Sequence, residues 1–245
     1  MLSVVCWKWG TRFGPLHVNV LRAALERHLH LEHRLFCVTD DATGLHRDIV
    51  PVALPAPLVD GDLRCRRRMF QYSREWAAQF GRRMLAIDLD VVLVDDITPI
   101  VDRPEPIVGW RVGHAGVFSG SFVLCDVGAL DGAWRRYQAD PKGFPFIAWP
   151  TGVGSDQAML NYWLRSQPTI PFWTEDDGFV TYYGAGYARF EGFGVGPSRR
   201  ELGAGARIVV LGSADLEVLN DHRYPWVRDH WMPLAAAVAA VEFQS

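Results

Sequence analysis

Two short apolar runs, residues 84–87 and 91–94, are separated only by Asp88-Leu89-Asp90 within RRMLAIDLDVVLVDDITPI. An uninterrupted apolar run of this length is the pattern of a strand buried on both faces, which requires a sheet covered on each side. The two carboxylates lie one residue apart, so an extended chain projects them to the same face. Side by side at the end of a buried strand they repel each other unless a cation sits between them. A hard divalent ion with oxygen ligands meets that need and keeps positions open for substrate phosphates. The same residues could instead simply cap a strand as it leaves the sheet.

With 245 residues the chain can form one sizeable domain or two small ones. No internal repeat, low-complexity linker or clear boundary marks a division, so one domain is expected. A net charge of −3 gives no reason to expect nucleic acid or an anionic membrane surface as a partner. The four cysteines, at 6, 37, 65 and 125, are far apart and include no C-x-x-C pair. That spacing predicts free thiols rather than a zinc site or a disulfide framework. The opening MLSVVCWKWGTRFG lacks a signal peptide's apolar core, and no apolar run approaches a membrane span, so a soluble, cytoplasmic protein is expected. Ten tryptophans suit either a cleft that stacks on sugars or bases, or a Trp-rich core.

Along the chain, residues 2–7 read as a strand ending in the turn-rich segment Lys8 to Gly14. Pro15 opens a helix with Val18, Leu21, Leu25 and Leu29 as its apolar stripe. A second strand, 34–38, finishes on Thr39-Asp40-Asp41. Strand, helix, strand argues for a βαβ unit and an open, mostly parallel, twisted sheet flanked by helices, an α/β fold. Ligands bind such sheets beyond the carboxyl ends of the strands, so Gly10, Thr39, Asp40 and Asp41 are expected on one rim. A strand over 48–54 precedes an arginine run, Arg64 and Arg66 to Arg68, that leads into a helix with Met69, Phe70, Trp76, Ala77 and Phe80 on its apolar face. The arginines, Arg67 among them, are either a solvated face or a means of orienting the acidic motif or binding phosphate. Strands are expected at 106–110 and 122–125, with a polar segment, 113–121, between them. Helices are expected at 129–138 and from Ser155 or Asp156, either of which can supply the cap. Asp156 could also accept hydrogen bonds from sugar hydroxyls. Segment 179–196 reads as a lid or as short strands over the site, followed by a strand at 206–211 and a closing helix at 227–241.

With these residues placed, the chain resembles small glycosyltransferases of the GT-A fold, in particular family 8, the glycogenin and lipopolysaccharide-galactosyltransferase-like group. The likeness rests on Lys8-Trp9-Gly10, Thr39-Asp40-Asp41, Asp88-Leu89-Asp90, Phe118 to Phe122, Gly154-Ser155-Asp156-Gln157 and Pro225-Trp226, in the family's order. The resemblance implies that Lys8, Trp9, Gly10, Thr39, Asp40 and Asp41 hold the nucleotide of a nucleotide-sugar donor, UDP-linked. It implies that Asp88 and Asp90 hold Mn²⁺ or Mg²⁺, and that Ser119, Gly120, Asp156 and Gln157 contact the donor sugar. Residues 1–100 would then form the nucleotide and metal half, and 101–245 the sugar and acceptor half. Retention of configuration is also implied, with Asp156 and Gln157, nearest the donor sugar, as the catalytic candidates. The acceptor, whether saccharide, lipid-linked glycan or protein, is not specified, and its contacts are expected in loops 111–121, 143–154 and 176–196.

Two departures from the family pattern stand out. Members commonly carry H-x-x-G-x-x-K-P-W near the end, whose His completes the metal site. Here Leu211-Gly212-Ser213-Ala214-Asp215 holds neither that His nor that Lys, leaving His222 or Asp215 as substitutes. The Asn of an N-s-G motif is replaced by Phe118 or Ser119. Two other readings compete. A haloacid-dehalogenase-type phosphohydrolase would use Asp88 as nucleophile and Asp176 and Asp177 as metal ligands. A nucleotide- or carbohydrate-binding protein of the same fold would have lost turnover.

Overall fold

The computed structural model describes residues 1–58, 65–112, 117–142, 155–165, 170–184, 194–211 and 216–242. The first strand, β1 (Leu2–Lys8), is buried along its whole length. Val4 and Cys6 face a core formed with Leu21 and Leu25, while Val5 and Trp7 face the opposite core with Met69, Tyr72 and Phe80. This alternation explains the continuous apolar reading, because both faces of the strand are covered. The helix α1 (Pro15–His28) supplies one cover. Pro15 starts it, and the Gly14 N–H donates to His17 Nδ1 at 3.2 Å.

Next come β2 (His33–Thr39), β3 (Val50–Ala53), β4 (Arg83–Ile87) and β5 (Val91–Leu93), then a short helix, α2 (Thr98–Val101), and β6 (Ile107–Val112). They are followed by β7 (Val117–Asp126), α3 (Asp131–Ala139), α4 (Asp156–Leu164), β8 (Phe172–Trp173) and β9 (Phe179–Tyr182). The last elements are β10 (Gly194–Val195), β11 (Ile208–Val210) and α5 (Met232–Glu242). Seven strands form one sheet in the order β3-β2-β1-β4-β7-β6-β8, parallel except where β7 runs against both β4 and β6. The expected α/β architecture with a mostly parallel sheet flanked by helices is therefore present.

The remaining strands form a second sheet, β10-β9-β11-β5. Its Leu93 and Ile208 join the α1-side core, while Val92 and Val209 pack toward Trp226, Trp231 and the C-terminal helix. Among the described residues no helix is long and apolar enough to cross a membrane.

Several sequence expectations are corrected. The segment after the arginines is not one helix but two 3₁₀ stretches, Cys65–Tyr72 and Trp76–Phe80. Between them the Ser73 hydroxyl accepts the Trp76 N–H at 3.2 Å, a local bond that competes with the helical ladder. The strand expected at 122–125 begins at Val117. The Asn161 amide extends it by pairing with both backbone groups of Phe118, at 2.9 and 2.8 Å. Segment 179–196, by contrast, does contribute short strands as one of its two readings has it, β9 and β10, and residues 185–193 lie outside the described set. The closing helix starts with a π turn, Val227–Trp231, before α5. Most of the tryptophans that are described build the core, with Trp110, Trp173 and Trp226 fully buried.

Gly109 lies at the bulge between β6 and β7, and a Cβ there would overlap the buried Phe118 ring. Gly109→Ala should therefore cost about 1–3 kcal/mol by overpacking. Calorimetry should show the melting midpoint falling by roughly 2–4 °C for each kcal/mol, and an unchanged midpoint would contradict this packing.

Candidate active site

Strand β1 has β2 on one side and β4 on the other, so the chain leaves β1 in one direction and returns on the opposite side. In an open α/β sheet this reversal opens a crevice beyond the strand ends. A cavity of about 570 Å³ lies there. Trp7 and Trp9 line it from the end of β1, and Asp88 and Asp90 from the end of β4. Ser121 of β7 closes another side, together with Asp156 and Gln157 at the start of α4.

Asp88 and Asp90 do not sit on an extended strand as expected. Residues 89 and 90 form a turn, because the chain must leave the first sheet at Ile87 and enter the second at Val91. The turn is pinned at both ends. The Asp88 N–H donates to the Ser121 carbonyl at 2.9 Å, and the Asp90 carbonyl accepts the Leu211 N–H at 2.8 Å. Both aspartates still line the cavity.

Arg68 joins the elements. Its Nη1 lies 2.7 Å from Asp88 Oδ1, its Nε 3.2 Å from Asp156 Oδ2, and its Nη2 donates to the Gly120 carbonyl at 2.8 Å. Burial works against the charged guanidinium, but Asp156 and then Asp88 outweigh it and raise its pKa. The expectation named Arg67, whereas the structure gives this position to Arg68. A 3₁₀ turn sets the direction of each arginine, and residue spacing alone does not reveal it.

Asp156 is the first residue of α4 and is buried, while the cap is made by Ser155, whose Oγ accepts the Ala158 N–H at 3.0 Å. Asp156 is thus freed from capping and turned to Arg68. Gln157 Oε1 accepts the Gly120 N–H at 3.1 Å, so Gly120 meets Arg68 and Gln157 through its two backbone groups. Ser119 is buried, and its Oγ accepts the Ser121 N–H at 3.2 Å. Ser121, which sequence reasoning does not single out, lines the cavity in its place.

The rim expected from the ends of β1 and β2 exists but is largely tied to itself. Lys8 Nζ is spent on Thr39 Oγ1 at 3.4 Å and the Asp41 carbonyl at 2.8 Å, and Gly10 N–H donates to Asp40 Oδ2 at 3.0 Å. Hydrogen bonds from Thr43 hold the Asp41 carboxyl below its usual range. Of this group Trp9 lines the cavity. His222 is exposed, Asp215 and Gly154 fall outside the described residues, and so do most of the presumed acceptor loops.

Electrostatics separate the two aspartates. Burial, then Asp156, raise Asp88, with Arg68 and Ser121 opposing. Burial and the neighbouring Asp88 push Asp90 up to about 7. Asp90 Oδ1 is buried without a hydrogen-bond partner among the described residues. An orphaned carboxylate oxygen beside a second carboxylate is a fit for one hard divalent ion, Mn²⁺ or Mg²⁺. Such ions commonly take one or two carboxylates and fill the remaining positions with phosphate oxygens and water. No group of three His, Cys, Asp or Glu side chains able to hold a metal occurs among the described residues. All four cysteines are free, and the Cys65 thiol at the cavity wall is raised to about 12, chiefly by burial, which leaves it protonated and inert.

No protein-family model matches the chain, and neither does any curated protein.

The state of Asp90 predicts a pH dependence. Its carboxyl titrates near 3.8 unfolded and near 7 folded, so between those values the folded protein holds a proton that the unfolded chain has released. Stability of the metal-free protein should therefore fall as pH rises from about 4 to about 7. Asp90→Asn cannot ionise and escapes that loss. In chelator, urea unfolding should find the variant close to wild type near pH 4 and more stable near pH 8, by at most on the order of 4 kcal/mol. A difference that does not change with pH would contradict the assignment.

Proposed function

We propose that this protein transfers a glycosyl group from a nucleoside-diphosphate sugar, with uridine diphosphate as the carrier, to an acceptor. One observation carries the reading. In the cavity at the β1/β4 reversal a single arginine links Asp88, neighbour of Asp90 with its orphaned oxygen, to Asp156, and Gln157 lines the same cavity. The likeness in motif order described above supports it.

On this reading Asp88 and Asp90 hold the divalent ion, Mn²⁺ or Mg²⁺, which when bound supplies Lewis-acid neutralisation of the departing diphosphate. Trp9 offers an aromatic face to the nucleotide. Arg68 positions Asp88 and Asp156 and favours the ionised form of Asp88. Because Gln157 accepts through Oε1, its amide NH₂ is left to donate to the donor sugar or its leaving oxygen. Asp156 is held by Arg68, so it orients sugar hydroxyls as an acceptor.

The phosphohydrolase alternative is less well supported. Asp88 would have to attack while gripped by Arg68 at 2.7 Å. Asp177 instead accepts the Thr174 N–H at 2.8 Å in the turn Glu175–Asp177, and neither it nor Asp176 lines the cavity.

A thermal-shift series of UDP, GDP, ADP and CDP, each with and without Mn²⁺, tests the reading. UDP with Mn²⁺ at a hundredfold excess over Kd should stabilise by about 2.7 kcal/mol, or roughly 5–10 °C. The Mn²⁺-dependent part should vanish in Asp90→Asn, as should release of UDP from UDP-sugars. If no nucleotide raises the midpoint under any metal condition, the donor-site reading is wrong.

A further inference from the structure

The cavity holds three carboxylates, Asp88, Asp90 and Asp156, and its cations are unequally committed. Arg68 is already paired with Asp88 and Asp156 and donates to the Gly120 carbonyl. Lys8, close by in sequence, is buried and spent on Thr39 and Asp41. Arg12 differs from both. It is exposed, lines the same cavity as the two metal-site aspartates, and makes no ion pair among the described residues.

Its placement is built by the local chain. Gly10 takes φ +63°, a conformation that turns the backbone sharply after β1, and its N–H is fixed by Asp40. Phe13 then packs edge-on to His17 of α1, with ring centroids 5.3 Å apart, and the Arg12 guanidinium lies 5.5 Å from the Phe13 ring centre. The guanidinium is thereby held at the cavity by its own neighbours. Its charge also reaches Asp90, whose ionised form it favours. A diphosphate entering a site with three carboxylates needs more positive charge than Arg68 can offer, and a planar guanidinium matches phosphate oxygens in bidentate fashion.

We propose that Arg12 is the diphosphate-binding cation of this site, gripping the phosphate oxygens that Arg68, already committed, cannot reach. This deepens the nucleotide-sugar reading and rests on it, but concerns the diphosphate group rather than the base or sugar. Arg12 then selects doubly phosphorylated ligands over nucleosides.

Calorimetric titration separates the two ideas, using UDP, uridine and inorganic pyrophosphate, each with Mg²⁺. Arg12→Met should weaken UDP and pyrophosphate roughly 10- to 100-fold, the loss expected for one charged hydrogen-bonding group, and leave uridine unchanged. Arg12→Lys should recover part of the loss, since it restores charge without the planar fork. Arg12 is exposed, and an unchanged melting midpoint for both variants confirms that the fold is intact. Wild-type binding of pyrophosphate but not UDP, with pyrophosphate weakened in Arg12→Met, would uphold Arg12 and remove the nucleotide-sugar reading. Equal UDP and pyrophosphate affinities in wild type and Arg12→Met would overturn the role of Arg12 alone. Absence of any binding to wild type would overturn both.

Discussion

Arg68 makes contact with Asp88, Asp156 and the Gly120 carbonyl from one guanidinium, and so ties the end of β4, the middle of β7 and the start of α4 to a single planar fork. The three elements are far apart in sequence. Strands β4 and β7 are neighbours in the sheet, but α4 shares no backbone ladder with either and depends on side chains for its position. A lysine could not replace the arginine, because an ammonium is a point charge and cannot present donors in several fixed directions. Burying the cation and the carboxylates together is costly, and the cost is offset by the two carboxylates that face the guanidinium and by the carbonyl that one of its N–H groups reaches. The pairing therefore does more for geometry than for net stability. It fixes where Asp156 and Gln157 stand relative to the Asp88–Asp90 turn.

The turn itself follows from a second constraint. The chain passes from the seven-stranded sheet to the four-stranded one within Asp88 to Asp90. Two buried strands in different sheets cannot be joined by extended chain, so the backbone bends. The bend is held by Ser121 on one side and Leu211 on the other. A loop at the surface would solvate its carboxylates freely. This one is buried against two sheets, which is why loss of hydration is the largest influence raising both aspartates.

What could be read from the residues follows from this. Strands β1, β2 and β4 announce themselves as apolar runs because both faces of the sheet are covered, and α1 by Pro15 and its apolar stripe. The Asp88–Asp90 pair is visible because acidic residues between two such runs are rare in a core. Arg68 is not visible, since any of the arginines before Met69 satisfies the same local pattern, and only the 3₁₀ geometry decides between them. The exchange of Ser119 for Ser121 has a similar origin. Between Gly109, opposite Val123, and Trp110, opposite Ser119, β7 carries residues 120–122 without a β6 partner, and a period-2 reading cannot detect such a bulge. Lys8 and the Thr39–Asp41 segment do lie on the expected rim, but a rim position does not say whether a side chain faces ligand or its own neighbours.

The two aspartates of one short motif end with different chemistry. At Asp88, Arg68 and Ser121 oppose the effect of burial, so its charge is partly offset by the protein. Asp90 lies beside it with one buried oxygen lacking a partner among the described residues, and with Asp88 adding to its penalty. On the proposed reading, a cation arriving at the cavity would gain most from Asp90 and be steered by Asp88, which Arg68 holds. The asymmetry also makes the arginine and the ion complementary rather than competing. On that reading Arg68 neutralises the side of the cluster that faces Asp156, and the opening toward Asp90 would be left for a ligand that brings its own positive charge.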